Sequence, residues 1–358
     1  MPQNEQATKR QDKTCLLCGQ RGFSLYEQMT DRLFATPGSW NLFYCVRCSL
    51  IWLSPAPSDQ EIYEAYKNYF THQAPDSQSC RSRWKKRMAP LILRASFGYQ
   101  HLLHEKWPRL AGRAIALLPG VKNLIGREVS YLKFKPEGKL LEIGCGNGDF
   151  LAQMKAWGWE VVGVEPDPIA ANIARQKHQL RVIAATAENA SLPADSFDAV
   201  IMHHVIEHHP DPARLLRVCW HVLKTNGQLV IITPNINSLG HRHFGANWVH
   251  LDPPRHFQLF SPPALIKLTE KAGFQVHQVR SIIFFRFTLW TWITSQTLKK
   301  KGPYCSQQES LRINWRALAF FALEKVLSLF NQNWGEEILL RATKTTETAI
   351  SFRANKDE

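Results

Sequence analysis

Short apolar runs alternate with amphipathic segments through the middle of the chain. Residues 139–143 and 160–164 are apolar runs of strand length, and residues 149–157 between them have the spacing of a helix. The same alternation continues beyond them. Further strands are predicted at 181–185, 199–202, 228–233 and 274–279, further helices at 212–223 and 262–272, and a seventh strand at 336–342. Strands that alternate with helices form a parallel sheet covered on both faces, so the pattern predicts an α/β, Rossmann-like fold.

Two Cys-x2-Cys pairs mark the N-terminal region. Paired knuckles of this kind supply four thiolates to one tetrahedral Zn²⁺ and leave it no open position for catalysis. Gly19 and Ser49 follow the second cysteine of each pair, where small residues suit a tight turn. We therefore expect one structural zinc, with four free or redox-active cysteines as the alternative. The predicted ligands are Cys15, Cys18, Cys45 and Cys48.

The composition of successive segments predicts how the chain is organised. Ser58 and Glu61 form a capping box for a short helix, and Pro90, Pro108 and Pro119 are expected to break the helices of the segment that follows. The predicted parts are a zinc-ribbon-like module with its linker at 1–80, a basic helical segment at 81–135, a catalytic domain at 136–345 that contains a helical insertion at 281–334, and a polar tail at 346–358.

A glycine-rich turn follows the strand at 139–143 and precedes a predicted helix. Residues 144–148 have the pattern G-x-G-x-G, in which bare backbone can approach a ligand closely. Glu165 ends the next strand, where its carboxylate is placed to accept hydrogen bonds from both ribose hydroxyls. Glu142 precedes the turn and would repel a pyrophosphate but attract an ammonium group. The charges therefore favour S-adenosylmethionine, which has an ammonium, a sulfonium and no phosphate, over a nicotinamide dinucleotide.

Several segments resemble the motifs of known enzymes. LLEIGCGNGDFL, VVGVEPD, SFDAVIMHHVIEHHPDP and NGQLVIITPN resemble the successive motifs of class I S-adenosylmethionine-dependent methyltransferases. RHFQLFSPPALIKLTEKAGF resembles the C-terminal signature of the subgroup that includes ubiquinone-type O-methyltransferases. The first cysteine pair with FYCVRCSLIWLSPAPSDQEI resembles the zinc module fused to methyltransferases of bacterial polysaccharide and sugar pathways. The methyltransferase resemblance covers residues 138–280 and the last strand.

This resemblance implies a seven-stranded methyltransferase sheet and assigns residues to the cofactor. By the resemblance, the residues that line the methionine part are Glu142, Gly144, Cys145 and Gly146, and Glu165 holds the ribose. The resemblance also implies that Asp167 and Glu188 lie near the adenine and that the backbone of His203 contacts the cofactor at the end of the fourth strand.

The predicted reaction also needs a route for a proton. Methyl transfer is an in-line displacement for which the enzyme supplies alignment, and a hydroxyl acceptor must lose its proton. Histidine titrates near neutrality, so we expect His256 to be the base, with His208 second. His204 and His209 are further candidates, and each of the four can instead be structural.

Residues 252–254 resemble the Asp-Pro-Pro-aromatic motif of nucleic-acid amino-methyltransferases. That motif must directly follow the fourth strand, whereas residues 252–254 follow the fifth, and Arg255 stands in place of the aromatic residue. We interpret the segment as a rigid turn.

The positive charge of the chain is uneven. The formal net charge is +14, and residues 81–135 contribute 13 basic and 2 acidic side chains, while residues 276–358 contribute 12 and 7. The predicted insertion between the last two strands is apolar and rich in Trp. One helical face of its second half comprises Leu311, Trp315, Leu318, Ala322, Val326 and Leu329. Such a face with interspersed Lys and Arg suits an anionic membrane interface; packing on the catalytic domain and dimerisation are the alternatives.

Taken together, the sequence predicts a methyltransferase that acts on a hydroxyl or carbon of a small-molecule, sugar or lipid-linked acceptor. The alternative is an RNA methyltransferase that binds RNA through the zinc module and the basic segment. The net charge of the zinc segment is close to zero, which does not favour binding to a phosphate backbone. The polar, mixed-charge start of the chain and its eight cysteines favour a cytoplasmic protein with reduced thiols. Peripheral association with the inner face of the membrane is part of this expectation.

Overall fold

A seven-stranded sheet and a four-stranded sheet organise the protein. The computed structural model describes residues 13–67, 83–102, 107–117, 120–301, 315–328 and 330–345. The strands are β1 (Phe23–Met29), β2 (Trp40–Cys45), β3 (Leu50–Ser54), β4 (Lys139–Ile143), β5 (Glu160–Glu165), β6 (Val182–Ala184), β7 (Phe197–His203), β8 (Leu223–Pro234), β9 (Gln258–Phe260), β10 (Phe274–Ile282) and β11 (Glu337–Lys344). The helices are α1 (Asp59–Tyr66), α2 (Arg83–Phe97), α3 (Trp107–Ala116), α4 (Val121–Arg127), α5 (Asp149–Ala156), α6 (Pro168–His178), α7 (Pro212–Val222), α8 (Leu239–Phe244), α9 (Pro262–Lys271), α10 (Phe285–Lys301) and α11 (Trp315–Leu327).

The large sheet has the predicted Rossmann-like α/β architecture. Its order is β10-β11-β8-β7-β4-β5-β6, so β4 and β7 lie near the centre. The pairs from β8 to β6 are parallel, and β11 runs antiparallel to both of its neighbours. All seven predicted strands are present, although β6 is shorter than expected and β10 continues to Ile282. The carboxyl ends of β4, β5, β7, β8 and β10 therefore meet at one edge, where ligands bind in sheets of this kind.

Apolar side chains on both faces of the sheet explain its stability. Leu140 and Ile201 point towards α2 and α4, while Leu141 and Ile143 point towards α7 and α9. Both faces are almost fully excluded from water, as expected for parallel strands that read as continuous apolar runs. Burial of this apolar surface is the main favourable term that holds the layers together.

One predicted helix break is wrong. Pro90 lies inside α2 and does not end it. The next turn carries Ile92 and Leu93, both fully buried against the sheet, so packing of this apolar face offsets the backbone hydrogen bond that proline removes. Pro108 stands in the first turn of α3, as expected of a helix start. Pro119 lies outside the described residues.

The small sheet joins the N-terminal region to the catalytic domain. Its order is β1-β2-β3-β9, and β9 belongs to the segment between β8 and α9. A buried ion pair lies beside this junction, because Arg255 donates from Nη1 and Nη2 to the Asp31 carboxylate at 2.8 and 2.7 Å and also binds Asp252. Asp252 thus stabilises a turn, in agreement with the interpretation of residues 252–254. The predicted capping box of Ser58 and Glu61 is present at α1.

Helices α10 and α11 follow the end of β10. They pack on α8 and on the small sheet through Leu289, Trp292, Ala317 and Phe320. The face predicted from the sequence is exposed at Trp315, Leu318, Ala322 and Val326, whereas Leu311 and Leu329 lie outside the described residues. Among the helices that the structure describes, none combines the length and apolarity needed to cross a bilayer.

Candidate functional site

The glycine turn lies at the carboxyl end of β4, in the middle of the large sheet. Gly144 and Gly146 have φ angles of 68° and 52°, which favour glycine because side chains rarely adopt them. A Cβ atom at Gly144 would stand 2.5 Å from Cγ2 of Val205. The turn therefore presents bare backbone at the start of α5, and a ligand can approach it closely.

Glu142 lies beneath this turn with one carboxylate oxygen unpaired. Oε1 lies 3.1 Å from Nδ1 of His203, while Oε2 is buried and has no hydrogen-bond partner. Burial, and then the nearby Glu165, raise the pKa of the Glu142 carboxyl well above its usual value. A buried oxygen of this kind suits a cationic group, because the cation would both pair with it and favour its ionised form.

Glu165 closes the opposite side of the turn. Its oxygens accept the N–H groups of Gly146 at 2.7 Å and Asp167 at 3.0 Å, and the carboxylate is 6% exposed. Burial raises its pKa, against these hydrogen bonds. The side chain of Asp167 caps α6, with Oδ1 accepting from the N–H of Ile169 at 2.8 Å. Each carboxylate oxygen can accept a second hydrogen bond, so Glu165 is able to receive a sugar hydroxyl.

The remaining predicted cofactor residues lie around the same edge. Glu188 is 2.8 Å from Nε2 of His209, which comes from the loop after β7. The thiol of Cys145 is buried against Gly163, so Cys145 offers its backbone to a ligand. Burial raises the pKa of this thiol and makes it a poor nucleophile. Nε2 of His203 lies 2.6 Å from the hydroxyl of Ser130 and its Nδ1 lies 3.1 Å from Glu142, so hydrogen bonds hold the imidazole beside Glu142.

A buried charge network adjoins β7 on the side away from the glycine turn. His204 is 2.9 Å from Glu337 through Nε2 and 3.3 Å from Glu207 through Nδ1. Burial opposes the charged imidazole, but the two carboxylates outweigh it and raise the pKa of His204 to about 9. Arg127 donates to both oxygens of Glu337 at 2.5 and 2.9 Å. The two carboxylates therefore favour the protonated imidazole of His204, a form that has no lone pair to accept a proton.

His208 and His256 lie on the other side of Glu207. Their ring centroids are 4.5 Å apart. Burial, and then the neighbouring His256, lower the pKa of His208 to about 4, so it is neutral near pH 7. The structure thus brings together the first and second candidates for the base, which stand 48 positions apart in the sequence.

A cavity of about 410 Å³ opens at the same edge of the sheet. It is bounded by α4, the end of β10 and α11. Arg127 connects it to the charge network, since the same side chain lines the cavity and binds Glu337. The sequence indicated neither Arg127 nor Glu337, because the two are 210 residues apart and carry no local motif. The other lining residues include Tyr131, Arg280, Phe284, Phe285, Phe321 and Lys325.

The four predicted zinc ligands also come together. One sulfur atom from each of Cys15, Cys18, Cys45 and Cys48 lies within 4.8 Å of the others. Both knuckles make the tight turn expected from the sequence, with Gly19 and Ser49 in the left-handed region and their N–H groups bonded to the carbonyls of Cys15 and Cys45. Nζ of Lys267 donates to Sγ of Cys48 at 3.4 Å, and burial raises the pKa of this thiol against that hydrogen bond. The donor set and its burial fit a tetrahedral Zn²⁺.

Comparison with known proteins identifies relatives of the large domain. A family model described as a methyltransferase domain matches residues 99–279. The ubiquinone biosynthesis O-methyltransferase of Cereibacter sphaeroides is 30% identical over 168 residues, which cover 44% of this chain and 68% of that protein. The mitochondrial ubiquinone biosynthesis O-methyltransferase of Mus musculus is 27% identical over 196 residues, which cover 49% and 52%. A solved SAM-dependent methyltransferase from Thermotoga maritima, described as a possible histamine N-methyltransferase, is 26% identical, with a TM-score of 0.41 and coverage of 61% of this chain and 87% of that one.

Proposed function

The chain belongs to the methyltransferase-domain family, and from this premise we propose that it transfers the methyl group of S-adenosylmethionine to a hydroxyl group of a small-molecule acceptor. The observation that carries the proposal is the unpaired, buried oxygen of Glu142 beside the bare backbone of the glycine turn. The choice of oxygen as the acceptor atom rests on the relatives, which are O-methyltransferases.

We propose a role for each residue around the cofactor. The ammonium group pairs with Glu142, and the methionine part lies along Gly144, Cys145 and Gly146. The ribose hydroxyls bind Glu165, whose carboxylate already accepts hydrogen bonds from the N–H groups of Gly146 and Asp167. The adenine lies near Asp167, Glu188 and His203. S-adenosylmethionine supplies an electrophilic methyl group when it is bound; the residues of this chain hold it and exclude water from it.

The acceptor hydroxyl must lose a proton as its oxygen is methylated. We propose that His256 assists this step, with His208 as its neighbour. His256 is 6% exposed and lies in the segment between β8 and β9, close to the loop that follows β7. In this arrangement His204 stays protonated and positions Glu207 without taking up the proton.

The acceptor is proposed to be carried on a lipid or presented at a membrane, as a lipid-linked sugar or an isoprenoid would be. The aromatic lining of the cavity suits an apolar ring or chain, and its Arg and Lys side chains suit an anionic group on the same molecule. Exposed apolar side chains on α11 favour a lipid surface over the phosphate backbone of RNA, because a phosphate backbone offers them no apolar contact. A place in polysaccharide biosynthesis is part of this proposal.

The N-terminal module is proposed to hold one structural zinc ion. Four cysteines fill its tetrahedral coordination, so the ion takes no part in methyl transfer. The ion stabilises the N-terminal region, whose four-stranded sheet is small.

The test of methyl transfer uses tritiated S-adenosylmethionine and a panel of phenolic, sugar and prenylated acceptors in detergent. We expect the label on an acceptor oxygen. His256→Ala should keep its cofactor affinity and lose about 10²–10⁴-fold in turnover, the usual contribution of assisted proton transfer. Label on a carbon atom would contradict the choice of acceptor atom, and unchanged turnover would remove His256 from the mechanism.

A further inference from the structure

The cavity between α4, the end of β10 and α11 is lined by more basic side chains than carboxylates can neutralise. The three basic residues are Arg127, Arg280 and Lys325, and none of the described residues that line the cavity is an Asp or a Glu. Glu337 lies behind Arg127 and pairs with it, but this carboxylate is shared with His204. The cavity is therefore left with the positive charges of Arg280 and Lys325.

The guanidinium group of Arg280 has a buried donor for which the described part of the chain offers no acceptor. Nη2 donates to Oδ1 of Asn123 at 3.1 Å, whereas Nε is buried and makes no hydrogen bond. Arg341 lies close by on β11, and burial, followed by the charge of Arg280, lowers the pKa of Arg341. A buried charged donor without an acceptor is costly, so an anion that accepts from Nε would stabilise this arrangement.

Lys325 faces the cavity from α11, and the carboxylate next to it in the sequence is engaged by other groups. Oε2 of Glu324 accepts from the hydroxyl of Thr288 at 2.9 Å, and Oε1 accepts from the N–H of Glu336 at 3.1 Å. Nζ of Lys325 lies 3.5 Å from the carbonyl oxygen of Ile283, which is the outer limit of a hydrogen bond. Partial burial lowers the pKa of Lys325, and an anion in the cavity would favour its charged form.

Aromatic rings orient the basic side chains at the cavity. Cζ of Arg280 lies 4.9 Å from the centre of the Tyr131 ring, and Nζ of Lys325 lies 5.6 Å from that of the Phe321 ring. A cation over the face of an aromatic ring is attracted by the ring electrons, which favours one position of a long side chain. Both charges are thus held in place before a ligand arrives, and less conformational entropy is lost when an anion binds.

The cavity adjoins the residues proposed to hold the methionine part of the cofactor. Ser130 and Tyr131 follow α4 with φ angles of 48° and 58°, a conformation that residues other than glycine rarely adopt. The hydroxyl of Ser130 lies 2.6 Å from Nε2 of His203, while Tyr131 lines the cavity. Nδ1 of His203 in turn lies 3.1 Å from Glu142. The cavity is therefore connected to Glu142 through Ser130 and His203, as the site of an acceptor should be.

We propose that this cavity binds a phosphate group of the acceptor, with Nε of Arg280 and Nζ of Lys325 as its donors. A phosphate monoester carries a charge of about −1.5 to −2 near neutral pH, which matches two unpaired cations, whereas a carboxylate carries a single charge. The planar fork of a guanidinium group also suits phosphate oxygens. The phosphate positions the acceptor and is not itself methylated. The assignment names the class of acceptor, a phosphate ester, and so rests on the proposed function.

Calorimetric titration of the full chain with inorganic phosphate tests the site without cofactor or acceptor. We expect one phosphate per chain. Arg280→Gln and Lys325→Gln should each weaken its binding at least about tenfold, because each loses a charge-assisted hydrogen bond. Arg280→Lys keeps the charge without the planar fork and should recover only part of the affinity. Arg316→Gln removes an exposed charge from α11 outside the cavity lining and should bind like the wild type.

Two pairs of probes identify the group that carries the phosphate. Glucose 1-phosphate is compared with glucose, and farnesyl phosphate is compared with farnesol, in the same titration. We expect at least one of the two esters to bind more tightly than inorganic phosphate, and its alcohol to bind more weakly than the ester. These probes contain no bilayer, so their binding is separate from contact with a lipid surface. Weaker binding of both esters than of inorganic phosphate would show that the cavity does not receive an acceptor.

Further results would overturn the proposal. They are no phosphate binding by the wild type, equal binding by the wild type and the folded Arg280→Gln and Lys325→Gln variants, and binding of acetate as tight as that of phosphate. Circular dichroism establishes that the variants fold. Displacement of S-adenosylmethionine by phosphate would also contradict the proposal, because the two ligands would then share one site. Phosphate binding by a chain that does not bind S-adenosylmethionine would instead count against the proposed function.

Discussion

Glu142 places a carboxylate beneath the glycine turn, where burial and the adjacent Glu165 raise its pKa. Part of the unliganded protein is therefore protonated at this position in weakly acidic solution. A cationic ligand favours the ionised carboxylate, so its binding releases a proton from that fraction. Recognition of the methyl donor is thereby coupled to pH through Glu142.

We predict that the affinity for S-adenosylmethionine rises as the pH increases from about 5 to 7, below the range in which the α-amino group of the ligand titrates. Glu142→Gln should bind about 10–100-fold more weakly, since it loses a charge-assisted hydrogen bond, and its affinity should vary less with pH than that of the wild type. Glu160→Gln, on the exposed start of β5, is the control and should behave like the wild type. Calorimetry in buffers of different ionisation enthalpy measures both the affinity and the proton release. An affinity of Glu142→Gln equal to that of the wild type would contradict the role.

Individual residues differ in how far their roles could be predicted. Glu142 and Glu165 lie beside the glycine turn as the local sequence indicated, and their roles toward the cofactor stay predictions. The contact between the His203 imidazole and Glu142 was missed, since only the backbone of His203 had a predicted role. Arg127 and Glu337 meet only because β11 returns to the sheet beside β8, and no local pattern indicates such a contact.

Elements with a clear pattern of apolar positions in the sequence were predicted well. Segments of four to seven residues rich in apolar side chains located the strands of the large sheet, because burial on both faces leaves a continuous signal. Strand β9 was missed: it has three residues, and only its pairing with β3 makes it a strand. Pro90 was taken as a helix break because the sequence does not show how strongly the flanking residues pack against the sheet.

We predict that the N-terminal module depends on zinc. Replacement of Cys45 and Cys48 by Ser should remove one equivalent of zinc per chain and lower the thermal midpoint, because metal binding contributes directly to the folding of such modules. Cys219→Ala changes a buried cysteine in α7, away from the cluster, and should leave the zinc content unchanged. Elemental analysis and thermal unfolding provide the measurements. Equal zinc content in the double variant and the wild type would reject the site.

The two basic segments meet around one cavity in the folded molecule. Asn123, Leu124 and Arg127 line it from α4, and Phe321 and Lys325 line it from α11. The sequence showed that both segments are basic but not that they meet, since some 200 residues separate them. Exposed apolar side chains of α11 stand beside this positive surface, an arrangement that suits contact with anionic lipid.

We predict that the full chain co-sediments with liposomes rich in phosphatidylglycerol, less with purely zwitterionic ones, and less again at high salt. Trp315→Asp with Val326→Asp should reduce the bound fraction, because both side chains are exposed and apolar. Ile169→Asp, which changes a similarly exposed residue on α6, is the matched control and should bind as the wild type does. Equal recovery of the wild-type protein in the supernatant with and without lipid would contradict the proposed membrane association.

The most direct measurement is a calorimetric titration of the purified chain with S-adenosylmethionine and, separately, with NAD⁺. The charges around the turn predict one molecule of S-adenosylmethionine per chain, displaced by S-adenosylhomocysteine, and no heat from NAD⁺. Binding of NAD⁺ together with no response to S-adenosylmethionine would contradict the account.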